Sequence, residues 1–395
     1  MTIKQLLIWA IVIRLLIAPF MFHPDIKGIH LRVSFLQKGV INIYEFLQSN
    51  EVTRVNAPDF VYPPLAYFSL GLYQFMATPL LGEGFNSWLF DFSGNAPANE
   101  NIFRYLLILK LPYFVFDFLV AYLLVKLVPN EKKKLVLFFW LFNPLNLYAV
   151  YAIGQFDIVP SALTFLSYYL WERNSVKSSG LALGLASSFK AFPLLLIPAF
   201  LFTGKKLKGK IIFAIISLGL YGISILPFIN SMAFQKNFLF SSLSQRIFEL
   251  QIHFFNFSLS IFLIIYLILL TIFFKRRHIK LWSMILSILL LVFAVTRFHP
   301  QWIVWLTPFL ALAVSALKLK VPVIFYILSF FIIFLFFGDK FLLYGLLSPI
   351  SLSFLEIPEI NTIFSVGQIS FAQAASRVIF VALSALITVK ALKYR

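Results

Sequence analysis

Long apolar runs separated by short polar breaks repeat from one end of this chain to the other. A bilayer core ~30 Å thick asks for about 20 apolar residues per helix. Segments of that kind fall at 1–22, 103–128, 135–153, 158–172, 211–228, 258–274, 281–297, 302–317, 321–338 and 373–391, with a short pair at 179–189 and 191–203. The pattern predicts an all-α polytopic integral membrane protein with about 10–12 transmembrane helices, folded as one membrane domain over 1–395. The first run has a signal-peptide outline but no small-residue cleavage site, and Arg14 stands in its middle. It therefore reads as a retained first helix with a cytoplasmic amino end.

Between 23 and 102 the rhythm changes. Ile29–Leu47 mixes apolar and polar positions, which suits a helix lying on the membrane surface. Tyr62–Leu81 is apolar, yet it opens on Pro63-Pro64, contains Pro79, and is followed by no Lys or Arg until Arg104. Counting it as a crossing would invert every later loop, so it reads as a second surface or partly embedded helix. The large external loops are then 23–102, 229–257 and 339–372.

Composition and charge agree with this layout. Hydrophobic residues make up 61% and charged residues 12%, with mean hydropathy +0.91, whereas a soluble domain is about a quarter charged. A net charge of +18 is also found in nucleic-acid-binding chains, but here it is gathered in alternate breaks: Lys132–Lys134, Arg173 with Lys177, GKKLKGK at 204–210, KRRHIK at 275–280, Lys318 with Lys320, and the tail Lys390, Lys393 and Arg395. Lys and Arg mark cytoplasmic loops and favour anionic lipid, so the expected surroundings are membrane lipids and no nucleic acid. The acids mirror them: Asp25, Glu45, Glu51, Asp59, Glu83, Asp91 and Glu100 all fall in the first external loop. Both termini are expected in the cytoplasm and the site outside. The absence of cysteine excludes disulfides and thiolate chemistry, and no HExxH, Walker or Rossmann pattern occurs.

In so apolar a chain, ionisable groups at membrane depth or at helix ends are costly unless paired. Asp25 follows the first span, Gln155 and Asp157 close the break at 154–157, Lys190 sits between the two short spans, and Arg297 with His299 lies in TRFHPQ. All should reach one outer layer, which makes them candidate site residues. Each has a plainer reading: Asp157 as a helix cap, Lys190 as a snorkelling side chain, Arg297 as a headgroup anchor. Lys110 and Asp117 lie seven apart on one helix face, where interhelical ion pairing is expected, and Arg14 is a candidate partner.

The string Asp25 … IYEFL (43–47) … Val61-Tyr62-Pro63-Pro64-Leu65-Ala66 resembles the first-loop signature of the GT-C superfamily glycosyltransferases. LKLPYFVFDFLVAYLL (109–124), FFWLFNPLNLYAVYAIGQFD (138–157), GLALGLASSFKAFPLLLIP (180–198) and TRFHPQW (296–302) look most like the GPI-anchor-type, polyprenol-dependent mannosyltransferases. The resemblance implies transfer of a hexose, with mannose favoured, from a polyprenyl-phosphate donor to a lipid-linked or glycan acceptor, with inversion. It implies Asp25 as general base, Arg297, His299 and Lys190 at the donor phosphate, and Asp157, Gln155, Tyr62, Pro63 and Pro64 at the substrate. The family carries an acid or an acid pair at the Asp25 position; here His23 and Lys27 flank it, so dependence on a divalent cation stays open. The rival readings are a transporter or lipid flippase, and a polysaccharide polymerase or ligase. Against the first stands the gathering of charge at one face rather than the midplane, without internal duplication.

Overall fold

The computed structural model describes residues 1–49, 59–317 and 319–394; Glu51, Lys318 and Arg395 lie outside them. The described residues are mostly helical. The only strands among the described residues are an antiparallel hairpin, β1 (Gln251–Phe254) and β2 (Phe257–Ser260). Among the described residues four segments are long and apolar enough to cross a membrane: Ile102–Leu127, Asn130–Ala152, Leu207–Phe228 and Val366–Leu392. Shorter apolar helices, among them Ile261–Lys275, Leu281–Val295, Thr307–Ala316 and Lys320–Leu335, supply further runs. At 1.5 Å per residue a 15-residue helix reaches only ~22 Å, so several expected crossings span a bilayer only with their irregular flanks.

The first helix, α1 (Ile3–Ile17), starts on a Thr2–Gln5 capping box. The expected continuous surface helix over 29–47 is broken instead. α2 covers Pro24–Ser34, a 3₁₀ turn takes it to Lys38, Gly39 adopts φ 79°, and α3 covers Ile43–Ser49. α2 is mostly buried, because it packs on α4 (Pro64–Leu81) through a buried His30 Nδ1–Gln74 Oε1 hydrogen bond of 2.9 Å. α5 (Ile102–Leu127) is the long inner helix, and α6 (Lys133–Leu141) stops at Asn143-Pro144, after which Leu147–Ala152 forms a π-helix. α7 (Ile158–Glu172) leads to the short pair α8 (Val176–Phe189) and α9 (Ile197–Leu201), joined through Lys190 and a 3₁₀ turn at Phe192–Leu196. α10 (Leu207–Ile225) lies close against α8, since Gly180 and Gly184 present no side chain to Ile216 and Leu220. α11 (Ile261–Lys275), α12 (Leu281–Val295), α13 (Thr307–Ala316), α14 (Lys320–Leu335) and α15 (Val366–Leu392) complete the bundle.

Buried charges inside the bundle are held by specific partners. Arg14 Nε donates to Asp117 Oδ2 at 2.6 Å, and the same carboxylate accepts from Tyr151 Oη at 2.7 Å and Trp140 Nε1 at 2.8 Å. The interhelical pair expected for Asp117 therefore forms, with Arg14. Lys110 has no carboxylate partner among the described residues; its ammonium donates to the carbonyls of Ala18, Met21 and Tyr151 at 2.8, 2.6 and 2.6 Å. A helix end leaves unpaired carbonyls, and these three close a cage that satisfies all three ammonium hydrogens.

The breaks sort to two ends of the bundle. At one end Lys205 bonds Asn174 and lies over Trp171, Arg173 reaches the Lys126 carbonyl, Glu172 sits in the field of Lys205 and Lys280, and Tyr394 packs on Trp282. Asp25, Gln155, Lys190 and His299 meet at the other end, around one cavity.

Candidate functional site

The cavity has a volume of about 850 Å³. Its polar wall includes Asp25, Arg32, Asp59, Gln155, Lys190 and His299; its apolar wall includes Leu194, Leu195, Phe238, Ile247 and Val292. Asp25 lies in the first turn of α2, after Pro24 at the first helical position, where a carboxylate complements the helix dipole. His23 caps that turn: its Nδ1 accepts the Asp25 backbone N–H at 3.1 Å. Burial holds the His23 imidazole below its ordinary pKa, so it caps as a neutral ring. Asp25 Oδ2 accepts from Gln155 Nε2 at 2.8 Å, while the Asp25 side chain stays 45% exposed. The carboxylate is thus aimed by one bond and open to the cavity.

Lys110 holds both partners from below. Met21 precedes Asp25 by four residues and Tyr151 precedes Gln155 by four, and Lys110 bonds both carbonyls. Gly154 has φ +77°, and a Cβ there would stand 2.6 Å from Lys110 Cε. Only glycine suits both demands.

Lys190 ends α8 in an extended conformation, φ −154°, because the Ala191-Phe192-Pro193 turn cannot continue the helix. Its ammonium donates to Asp157 Oδ1 at 2.6 Å and lies 5.1–5.9 Å from the ring centres of Tyr62, Phe156, Trp302 and Trp305, an aromatic cage for a cation. Asp157 precedes α7 but makes no cap bond; its Oδ1 also accepts Trp305 Nε1 at 2.6 Å, and its Oδ2 finds no partner among the described residues. Burial raises the Asp157 carboxyl and lowers the Lys190 ammonium, and the ion pair works against both shifts.

The first-loop motif acts as a brace. The Tyr44 hydroxyl, from IYEFL, donates to the Tyr62 carbonyl at 2.5 Å, and Tyr67 Oη donates to the Val40 carbonyl at 2.7 Å. Ser231 Oγ donates to Glu45 at 2.5 Å, tying this loop to the segment after α10. Tyr62 and Pro63 line the cavity, and Pro64 starts α4 behind them.

His299 lines the cavity, whereas Arg297 is exposed and does not. Burial, with Arg246 and Lys190 nearby, holds His299 down to about 4, so near neutral pH it offers a hydrogen bond and not a charge. Four contributors escaped sequence reading. Arg32 lies seven residues after Asp25 on the same helix face; Trp305 passes for an apolar residue; Arg246 stands near both His299 and Arg297. Arg377, on α15, donates to the Ala294 and Thr296 carbonyls at 3.2 and 2.5 Å and so fixes the segment leading to His299. An arginine inside an apolar run was itself a signal. No three His, Asp or Glu side chains converge as metal ligands among the described residues, and Arg32 and Lys190 lie in the field of Asp25.

A helical bundle with membrane-length apolar helices and its polar breaks gathered around one cavity marks an integral membrane protein, and its family match makes it a glycosyltransferase of the GT-C type. The chain belongs to glycosyltransferase family 87, whose family model matches residues 105–322, more than half of its length. It is also similar to GPI mannosyltransferase 1 of Candida albicans, 27% identical over 166 residues, covering 34% of this chain and 42% of that protein. The chain thus spans less than half the length of the curated relative it matches. No solved structure matches it.

Proposed function

We propose that this protein transfers a hexose, with mannose favoured, from a polyprenyl-phosphate donor to a lipid-linked or glycan acceptor on the non-cytoplasmic side, with inversion. The observation that carries this reading is the Asp25 carboxylate, aimed by Gln155 and open to a cavity that is polar on one side and apolar on the other. The membership in family 87 supports glycosyl transfer, and the name of the Candida relative supports mannose. The apolar wall suits a lipid chain, and the polar wall suits a sugar and its phosphate.

In the reaction the acceptor hydroxyl attacks the anomeric carbon, and the bond from that carbon to the phosphate oxygen breaks. Asp25 takes the hydroxyl proton. The electron pair of the broken bond leaves on the polyprenyl phosphate, and the products are the glycosylated acceptor and the lipid phosphate. Charge growing on that phosphate is met by Lys190, with a hydrogen bond from neutral His299; Arg246 and Arg297 act at longer range. Asp157, buried behind the cavity wall, keeps Lys190 charged and adds its negative field at the electron-poor sugar. Purified protein given polyprenyl-phosphate-mannose and polyprenyl-phosphate-glucose is expected to move hexose only from the first, read by mass spectrometry of the acceptor. Asp25→Asn is expected to abolish transfer with folding unchanged; undiminished activity would remove Asp25 from the mechanism.

A further inference from the structure

At the end of the bundle opposite the cavity, a cleft of about 270 Å³ opens between α9, α10 and α11. Leu201, Phe202, Ile211, Ala214 and Phe274 wall it, and Lys210 and Arg277 stand at its lining as its only charged members. The two cations are close enough to disfavour each other, and neither forms a salt bridge among the described residues. Glu172, a carboxylate at this end, lies in the field of Lys205 and Lys280 instead.

α10 adds a second mismatch. Its first turn has no acidic residue and its N-cap, Lys206, makes no side-chain cap bond, so free N–H groups and a positive helix end meet a run of lysines. Basic residues at a helix N-terminus oppose the dipole; an anion there relieves both the dipole and the lysines. The walls of the cleft are apolar and lie on helices largely exposed along their length: only 17% of the Leu207–Phe228 window is buried inside the protein. Exposed apolar side chains on a membrane helix face lipid tails, not water.

We infer that this cleft holds one anionic phospholipid, its phosphate between Lys210, Arg277 and the first turn of α10, and an acyl chain along Ile211, Ala214 and Phe274. The site is independent of the transfer cavity.

The test uses the full chain in detergent, exchanged against phosphatidylglycerol or phosphatidylcholine, with retained lipid read by native mass spectrometry. Two cations at their usual worth beside anionic lipid give an expected preference for phosphatidylglycerol of roughly thirty-fold. Lys210→Ala/Arg277→Ala is expected to lose that preference, and Lys132→Ala/Lys134→Ala, equal in charge but away from the cleft and from α10, to keep it. Ala214→Phe fills the cleft with both cations in place and should lower retention of either lipid, which keeps the test decisive if the double variant misfolds. Equal retention of the two lipids, equal loss in both double variants, or displacement of lipid by millimolar inorganic phosphate would overturn the assignment.

Discussion

Two buried carboxylates, Asp117 and Asp157, each accept a cation at 2.6 Å, and each accepts a tryptophan N–H. Yet they do different things. Asp117 has both oxygens met, by Arg14, Tyr151 and Trp140, deep in the bundle. Asp157 leaves one oxygen without a partner, and its cation lines a cavity. A closed network holds helices together; one with an unmet acceptor behind a cavity-lining cation keeps capacity to adjust when something arrives in the cavity. The cations differ in the same sense. Arg14 cannot shed its proton, while Lys190 can, so only the second pair tolerates a change of charge state.

The sharpest way to break this contrast is Asp117→Ala. It leaves a permanent charge in the bundle, and the expected cost of about 3–5 kcal/mol should appear as loss of folded protein by size-exclusion chromatography and thermal melting. Asp157→Asn should be milder in melting but severe in activity, lowering kcat by about 10²–10³, because Lys190 can neutralise itself. Equal loss of folding in the two variants would erase the distinction. Lys110→Met tests a third arrangement, a cation held only by carbonyls. Releasing Met21 and Tyr151 lets Asp25 and Gln155 drift, and kcat is expected to fall about a hundredfold with little change in KM. The smallest effect concerns pH. His299 has a folded pKa of about 4, below the ordinary 6.5. The unfolded chain therefore binds the proton first, and stability present above pH 6.5 declines as pH falls toward 4. His299→Gln should shallow that decline, measured as the difference in melting temperature between pH 7 and pH 5. His23 and His30 are shifted in the same direction, so part of the slope remains.

The sequence pointed to the candidate site wherever a polar group interrupts an apolar pattern. Asp25, Gln155, Asp157, Lys190 and His299 all stand in such breaks, and they converge as those breaks imply. Groups that look ordinary in one dimension stayed hidden. Trp305 reads as one more apolar residue until its N–H is seen on Asp157. Arg32 sits in a mixed helix where basic residues are unremarked. Arg297 illustrates the reverse: sharing a break with His299 does not give it the same wall. Helix lengths were the other hidden quantity, because a hydrophobic run does not reveal where Asn143-Pro144 or Ala191-Phe192-Pro193 will divide it.

Gly154, finally, restricts the order in which this protein can change. While lysine stands at 110, any side chain at 154 collides with its Cε at 2.6 Å and with Ile26 Cδ1 at 3.0 Å. A shortened residue at 110 removes the first collision, and asparagine, the side chain most tolerant of a positive φ, then becomes the mildest replacement at 154. The reverse order passes through an intermediate that is both strained and clashing. Descendants of this sequence are therefore expected to alter 110 before 154, and to keep the glycine for as long as they keep the lysine.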